Sequence, residues 1–185
     1  MIALQRSNAL SARRSMSAEQ RDSASAIINE KVIRSHEFFA AKSIACYLPM
    51  QDEVDPSRII ERAWSANKRV FCPVIGNHGD MIYRQLDRDT TLQRNNFDLW
   101  EPVDSTRIAA QQLDLVITPL VAYDKNNNRI GMGGGYFDRC FAFLGHRKRW
   151  QRPKLMGLAF SCQKLEEIDA NPWDIPLYCV VSNID

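Results

Sequence analysis

Ser43-Ile44-Ala45-Cys46-Tyr47-Leu48 and Val70-Phe71-Cys72-Pro73-Val74-Ile75 are two short apolar runs, with Pro56, Ile59, Ile60, Ala63 and Trp64 between them. Each run suits a buried strand, the first ended by Pro49. The four apolar residues between the runs share one face of a helix that Pro56 can open at its first turn. Strand, helix, strand in that order predicts a parallel crossover unit, right-handed by default. That unit sets the fold class as α/β.

The flanking sequence extends the same pattern. Residues 1–13 carry Leu4, Ala9 and Leu10 among polar positions, a weak helical pattern, with Arg6, Arg13 and Arg14 read from the pattern alone as a solvated face. Ser17-Ala18-Glu19-Gln20 is a capping box that opens a helix to about Ser35. A turn at 76–79 precedes a short strand at 81–83, and 87–99 are polar and turn-like. A helix is expected near 105–112, then strands over 113–118, 154–160 and 178–182. No repeat or linker interrupts residues 1–185, so the expectation is one domain: a three-layer sandwich with a largely parallel, Rossmann-like central sheet flanked by helices.

After the strand over 113–118 and the turn Lys125-Asn126-Asn127-Asn128 comes Arg129-Ile130-Gly131-Met132-Gly133-Gly134-Gly135-Tyr136-Phe137-Asp138-Arg139. Glycine lacks the Cβ that forbids positive φ, so such a run can turn successive N–H groups toward one point. Followed by a helix over about 135–144, that concavity suits a phosphate at the carboxyl side of the sheet, aided by the helix dipole. Arg129 and Arg139 can add charge-assisted hydrogen bonds, and Asp138 can hold the metal that accompanies a triphosphate. By spacing alone a tight surface turn is an equal reading. The stretch lacks the Lys-Ser/Thr of a P-loop, and Tyr136 replaces the third glycine of a dinucleotide fingerprint.

The totals exclude several classes. Lys plus Arg number 24 against 22 Asp plus Glu, a net charge of +2, too balanced for a nucleic-acid footprint. Cys46, Cys72, Cys140, Cys162 and Cys179 form no C-x-x-C pair and read as reduced core thiols. His36, His78 and His146 show no metal spacing. No apolar run is long enough to span a membrane, and the first residues lack a signal peptide's apolar centre. A cytoplasmic monomer acting on small molecules is expected.

Taken whole, Asp124, four residues, then Arg-Ile-Gly-Met-Gly-Gly-Gly-Tyr-Phe-Asp-Arg closely resembles the signature of the 5-formyltetrahydrofolate cyclo-ligase (methenyltetrahydrofolate synthetase) family. The resemblance covers nearly the whole chain. It implies that Arg129, Ile130, Gly131, Met132, Gly133, Gly134, Gly135, Tyr136 and Phe137 wrap the phosphates of ATP, joined by Arg6 from an N-terminal basic helix. The family's usual lysine a few residues before that arginine falls at about Ile2 here, so that contact is missing or comes from elsewhere. In the block Tyr47-Leu48-Pro49-Met50-Gln51-Asp52-Glu53-Val54-Asp55, it implies that Glu53 binds the pterin's ring nitrogens and that Leu48 packs beside them. A carboxylate can indeed accept two hydrogen bonds from a 2-amino-pyrimidinone edge. Trp100-Glu101-Pro102 matches a further block, with Trp100 either flanking the pterin or sitting in the core. Gly157-Leu158-Ala159-Phe160-Ser161-Cys162-Gln163 and Trp173-Asp174-Ile175-Pro176-Leu177 match two more. Trp173 replaces a frequent histidine, and Asp174 resembles a second metal-associated carboxylate beside Asp138.

The implied reaction is 5-formyltetrahydrofolate plus ATP giving 5,10-methenyltetrahydrofolate, ADP and phosphate, with Mg²⁺. Tyr136, Arg129 and Arg139 are the expected catalytic residues, with Tyr136 also touching the folate. Two other classes stand beside it: another ATP-dependent ligase or kinase on the same scaffold, which Glu53 in its block disfavours, and a non-catalytic nucleotide or folate binder, which intact Arg129, Asp138, Arg139 and Asp174 disfavour.

Overall fold

Residues 1–76, 80–147 and 152–184 are described by a computed structural model. The chain opens with three helices, α1 (Ile2–Ser15), α2 (Ala18–Ile33) and α3 (His36–Ala40), before strand β1 (Ser43–Ala45). Helix α4 (Ser57–Ser65) connects β1 to β2 (Arg69–Ile75). Next come β3 (Met81–Gln85), β4 (Leu92–Arg94), β5 (Trp100–Pro102), β6 (Arg107–Ile108), β7 (Leu115–Pro119), β8 (Ala122–Tyr123) and β9 (Arg129–Ile130). Helix α5 (Tyr136–Phe141), β10 (Lys154–Ala159) and β11 (Cys179–Ser182) complete the order.

The predicted crossover unit is the centre of a seven-stranded sheet in the order β11-β10-β7-β1-β2-β3-β6. The five strands from β11 to β2 pair in parallel, with Ile44 opposite both Leu115 and Val70. Strands β3 and β6 extend it antiparallel. Alternation along β10 divides the core between two faces. Met156 and Leu158 face the cluster that contains Ile28 and Val32 of α2 and Ile59, Ile60 and Ala63 of α4. Leu155 and Ala159 face the other cluster, with Phe141 of α5, Ile175 and Leu177. Helices therefore cover both faces, in three layers. A smaller cluster of Ala9, Val121, Ala122, Ile130 and Ile168 docks α1 onto the β8–β9 hairpin. That docking sets α1 beside the glycine stretch.

Several expectations are met and several corrected. The capping box on α2 is present, with Ser17 Oγ accepting from Gln20 N and Gln20 Oε1 from Ser17 N. Strand β1 stops at Ala45 where 43–48 was expected. Cys46 N still donates to Phe71 O at 2.8 Å, after which the chain leaves the sheet at the carboxyl end of this central strand. Pro56 sits at the N-cap of α4 rather than inside its first turn. The helix expected near 105–112 does not form: β6 pairs Ile108 with Tyr83, and only a 3₁₀ turn follows at Ala110–Gln112. Sheet pairing overrides the helical propensity of so short a segment. Within the polar 87–99 stretch, β4 pairs with β5, placing Arg94 opposite Trp100. Helix α5 ends at Phe141 and continues as 3₁₀ over Ala142–His146. The turn expected at 76–79 and His78 fall largely at 77–79, outside the described residues.

All five cysteines are free thiols, but the core placement holds fully for only two of them, with Cys140 and Cys179 half-buried against the core. Cys46 and Cys72 are buried, and burial pushes the Cys72 thiol up to about 12. Cys162 is exposed. No helix among the described residues is long and apolar enough to cross a membrane.

Candidate active site

The loop after β1 carries Leu48 and Glu53, the chain after β7 runs through the β8–β9 hairpin into the glycine stretch, and buried carboxylates hold the loops around them. Asp124, 1% exposed, accepts from the backbone N–H of Asn126, Asn128 and Ile168 and from Asn128 Nδ2, all at 2.9–3.0 Å. Burial alone would raise its pKa. The Asn128 side chain and the three amides outweigh it and hold the carboxyl below its usual range. Asn127 sits in the left-handed region at φ 61° to close the turn. Gln163, also buried, donates to Leu120 O and Val121 O at 2.9 Å and accepts from Phe160 N, which ties the ends of β7 and β10 together.

The glycine stretch leaves β9 and enters α5 through positive φ at Gly133 (101°) and Gly135 (64°). Arg6 reaches from α1 to donate Nε to Gly131 O at 2.8 Å, and its guanidinium lies 3.6 Å from where a Cβ on residue 133 would be. Arg139 Nη1 donates to Gly134 O at 2.8 Å, and its guanidinium stands 5.1 Å from the Tyr136 ring centre. The Tyr136 ring in turn packs on Gly134, where a Cβ would meet Cε2 at 2.6 Å. Helix α5 has only six residues, so its dipole is weaker than that of a full-length helix. The two guanidinium groups carry the positive potential at this loop. Gly131 has no atom within 4 Å of its would-be Cβ, and Met132 at the tip is exposed.

Beneath the loop, Arg129 is committed. Its Nη2 lies 2.9 Å from Asp138 Oδ1, its Nη1 donates to Ile175 O, and Phe137 lies against the guanidinium at 5.9 Å. Asp138 Oδ1 also accepts from Ile175 N at 3.0 Å. Ile175 follows Asp174, whose Oδ2 accepts from both nitrogens of Asn171, so the two carboxylates expected at a metal are brought to the same chain segment. Among the described residues no group of three or more His, Cys, Asp or Glu forms a metal cage. Two carboxylates fit a Mg²⁺ that takes its other ligands from phosphate and water.

On the other side, the loop after β1 carries Leu48 and Glu53. Leu48 is half-buried against the core. The Glu53 side chain is 9% exposed and accepts from Met50 N at 3.0 Å. Burial raises its pKa, with the Asp52 charge adding and Met50 N–H and Arg13 opposing. Tyr47 OH donates to Val54 O at 2.7 Å and closes the loop from below. Trp100 is half exposed on the β4–β5 hairpin with the Arg94 guanidinium 4.9 Å over its ring, so it is not a core residue. That hairpin is joined to the carboxyl end of β2 by Glu101, which accepts from Ile75 N and Asn95 Nδ2.

One arginine departs from the sequence reading. Arg13, expected on a solvated face, is 2% exposed. Its Nε and Nη2 contact Asp52 Oδ2 at 3.2 and 3.1 Å, its Nη1 lies 3.9 Å from Glu53 Oε1, and Nη1 also donates to Leu120 O. Positions 6 and 13 are seven apart and share a helix face, but nothing in that spacing announces the partners that bury Arg13.

A family model described as the 5-formyltetrahydrofolate cyclo-ligase family matches residues 3–183. A 5-formyltetrahydrofolate cyclo-ligase of Haemophilus influenzae is 33% identical over 176 residues, covering 91% of this chain and 90% of that protein. A solved 5,10-methenyltetrahydrofolate synthetase of Aquifex aeolicus superposes with a TM-score of 0.85 at 26% identity, over 100% of this chain and 90% of that one. One from Mycoplasma pneumoniae gives a TM-score of 0.78 at 25% identity, over 98% of each chain. With its fold and nearly all its length accounted for in this way, the chain belongs to the 5-formyltetrahydrofolate cyclo-ligase family.

Proposed function

We propose that the protein converts 5-formyltetrahydrofolate to 5,10-methenyltetrahydrofolate in an ATP- and Mg²⁺-dependent reaction that releases ADP and phosphate. The observation that carries this reading is the position of α1. One helix sets Arg6 against the glycine loop and Arg13 against the Glu53 loop, so the loop read as nucleotide-binding and the carboxylate read as pterin-binding both pack on α1.

The chemical problem is that an amide oxygen leaves poorly. The γ-phosphoryl group passes from ATP to the formyl oxygen, the N10 lone pair attacks the activated carbon, N10 gives up its proton to solvent, and the C–O bond breaks as phosphate departs. Such a transfer asks the protein for positioning and charge neutralisation rather than a nucleophile. Arg6, Ile130 and the run from Gly131 to Phe137 hold the triphosphate, with Arg139 supplying positive charge at the loop. Arg129 acts from beneath as a brace, because its guanidinium is already engaged. Asp138 and Asp174 hold Mg²⁺, which when bound neutralises phosphate charge. Glu53 accepts from the pterin edge, Leu48 and Trp100 flank it, and Tyr136 stands where nucleotide and folate meet.

All five cysteines are free, which supports a reducing cytoplasmic setting. Mixing the protein with MgATP and 5-formyltetrahydrofolate tests the reading: the conjugated methenyl product absorbs in the near ultraviolet, and no absorbance gain with ATP present would refute it.

A further inference from the structure

Arg13 has no part in the roles assigned above, yet it is among the most completely buried large side chains of the described residues. Burying a guanidinium is unfavourable unless partners satisfy it. Its partners are Asp52, Glu53 and the carbonyl of Leu120 at the end of β7. An arginine needed only to fasten α1 could have been an apolar residue on the same cluster as Ala9, which already docks that helix. Instead the charge is aimed at the loop of the pterin-binding carboxylate.

We propose that Arg13 is a positioning residue for the folate: from α1 it fixes the Glu53 carboxylate, charged and oriented, for the pterin edge. This rests on Glu53 as the pterin ligand. The groups that face Glu53 are few. Arg13 comes from α1, and Asp52 from its own loop, itself shared with Arg14 Nε at 3.5 Å. Tyr47, at the end of the β1 segment, is buried and neutral, its pKa held well above the ordinary value by burial and then by the Glu53 charge. Burial and Asp52 oppose ionisation of Glu53; the Met50 N–H and then Arg13 favour the charged form, Arg13 being the cation beside it among the described residues. A protonated Glu53 loses one acceptor and accepts poorly from a pterin N–H and amino group.

The test is a titration of 5-formyltetrahydrofolate binding across pH with the wild type, Arg13→Gln, Arg13→Lys and Asp52→Asn. In Arg13→Gln the affinity at neutral pH falls by about tenfold or more, and the acid limb of binding moves to higher pH. Arg13→Lys returns the limb toward wild type but recovers only part of the affinity, since an ammonium lacks the planar fork. Asp52→Asn moves the limb the other way, to lower pH, because a like charge is removed while the guanidinium stays. Opposite shifts from two neighbours are not produced by loss of stability, and Arg13→Met, which removes the cation without burying an unpaired polar group, carries the same expected shift if Arg13→Gln fails to fold. Coincident acid limbs in the variants that fold overturn the inference and leave Arg13 a structural residue. A wild type that binds no folate at all overturns the assignment of Glu53 and the proposed function with it.

Discussion

Arg129 and Asp138 face each other across the base of the glycine loop, with 2.9 Å between Nη2 and Oδ1, and both are bonded to the backbone of Ile175. The pair joins the start of the loop, the first turn of α5 and the segment that carries Asp174. A residue that holds Asp138 in place this way also limits which of its oxygens is available to a metal. Asp138 therefore has a structural duty, to which the proposed function adds a second one toward Mg²⁺.

Asp138→Ala separates them. Loss of the partner leaves the Arg129 guanidinium, 5% exposed, without its carboxylate, and thermal melts should show a loss of about 2–3 kcal/mol. Turnover should also need more Mg²⁺ to reach half its maximum. A melt shifted as expected with a wild-type Mg²⁺ titration would leave only the structural duty.

Gly134→Ala tests the packing of Tyr136. The new Cβ would stand 2.6 Å from Cε2, so the ring must swing away. Turnover should drop by about tenfold or more with a small change in melting temperature, since the ring is at the surface of the site. Gly131→Ala meets nothing within 4 Å, and its melting temperature should equal or slightly exceed that of the wild type.

Tyr136→Phe keeps the ring and removes the hydroxyl. If Tyr136 contacts the reacting formyl group, kcat should fall by about tenfold while the loop stays folded. Kinetic constants equal to those of the wild type would remove Tyr136 from the chemistry.

Asp124 gives the acid side of the stability profile. Its folded pKa is depressed, so its contribution is full above the unfolded carboxylate value of about 3.9 and disappears as pH falls through the lower folded value. Asp124→Ala strands several donors, including the buried amide of Ile168, and should cost about 2–4 kcal/mol at neutral pH. Urea melts at several pH values should show the variant's stability changing less between pH 5 and 2 than that of the wild type.

Much of this molecule could be read from its residues, and the exceptions have physical causes. The crossover unit, the α2 capping box and the glycine loop are local signals, written in neighbouring residues. The segment 105–112 has helix formers but is drawn into an edge strand by Tyr83 of β3, a contact that no local pattern announces. Arg13 looks like any surface arginine until its partners, 39 and 107 residues away, close over it. The sequence reading sets Arg129 on phosphate, whereas the bond to Ile175 O that engages its guanidinium comes from 46 residues downstream. Long-range partners of charged groups were the part that sequence spacing did not carry.

The central claim is that residues 131–135 and Glu53 receive two substrates side by side. A crystal grown with Mg²⁺, a non-hydrolysable ATP analogue and 5-formyltetrahydrofolate tests it most directly. The expected density has the terminal phosphates against Arg6 and the glycine loop, and the pterin edge on the Glu53 carboxylate. Density that leaves the loop vacant while the ligands bind elsewhere on the molecule would contradict the account.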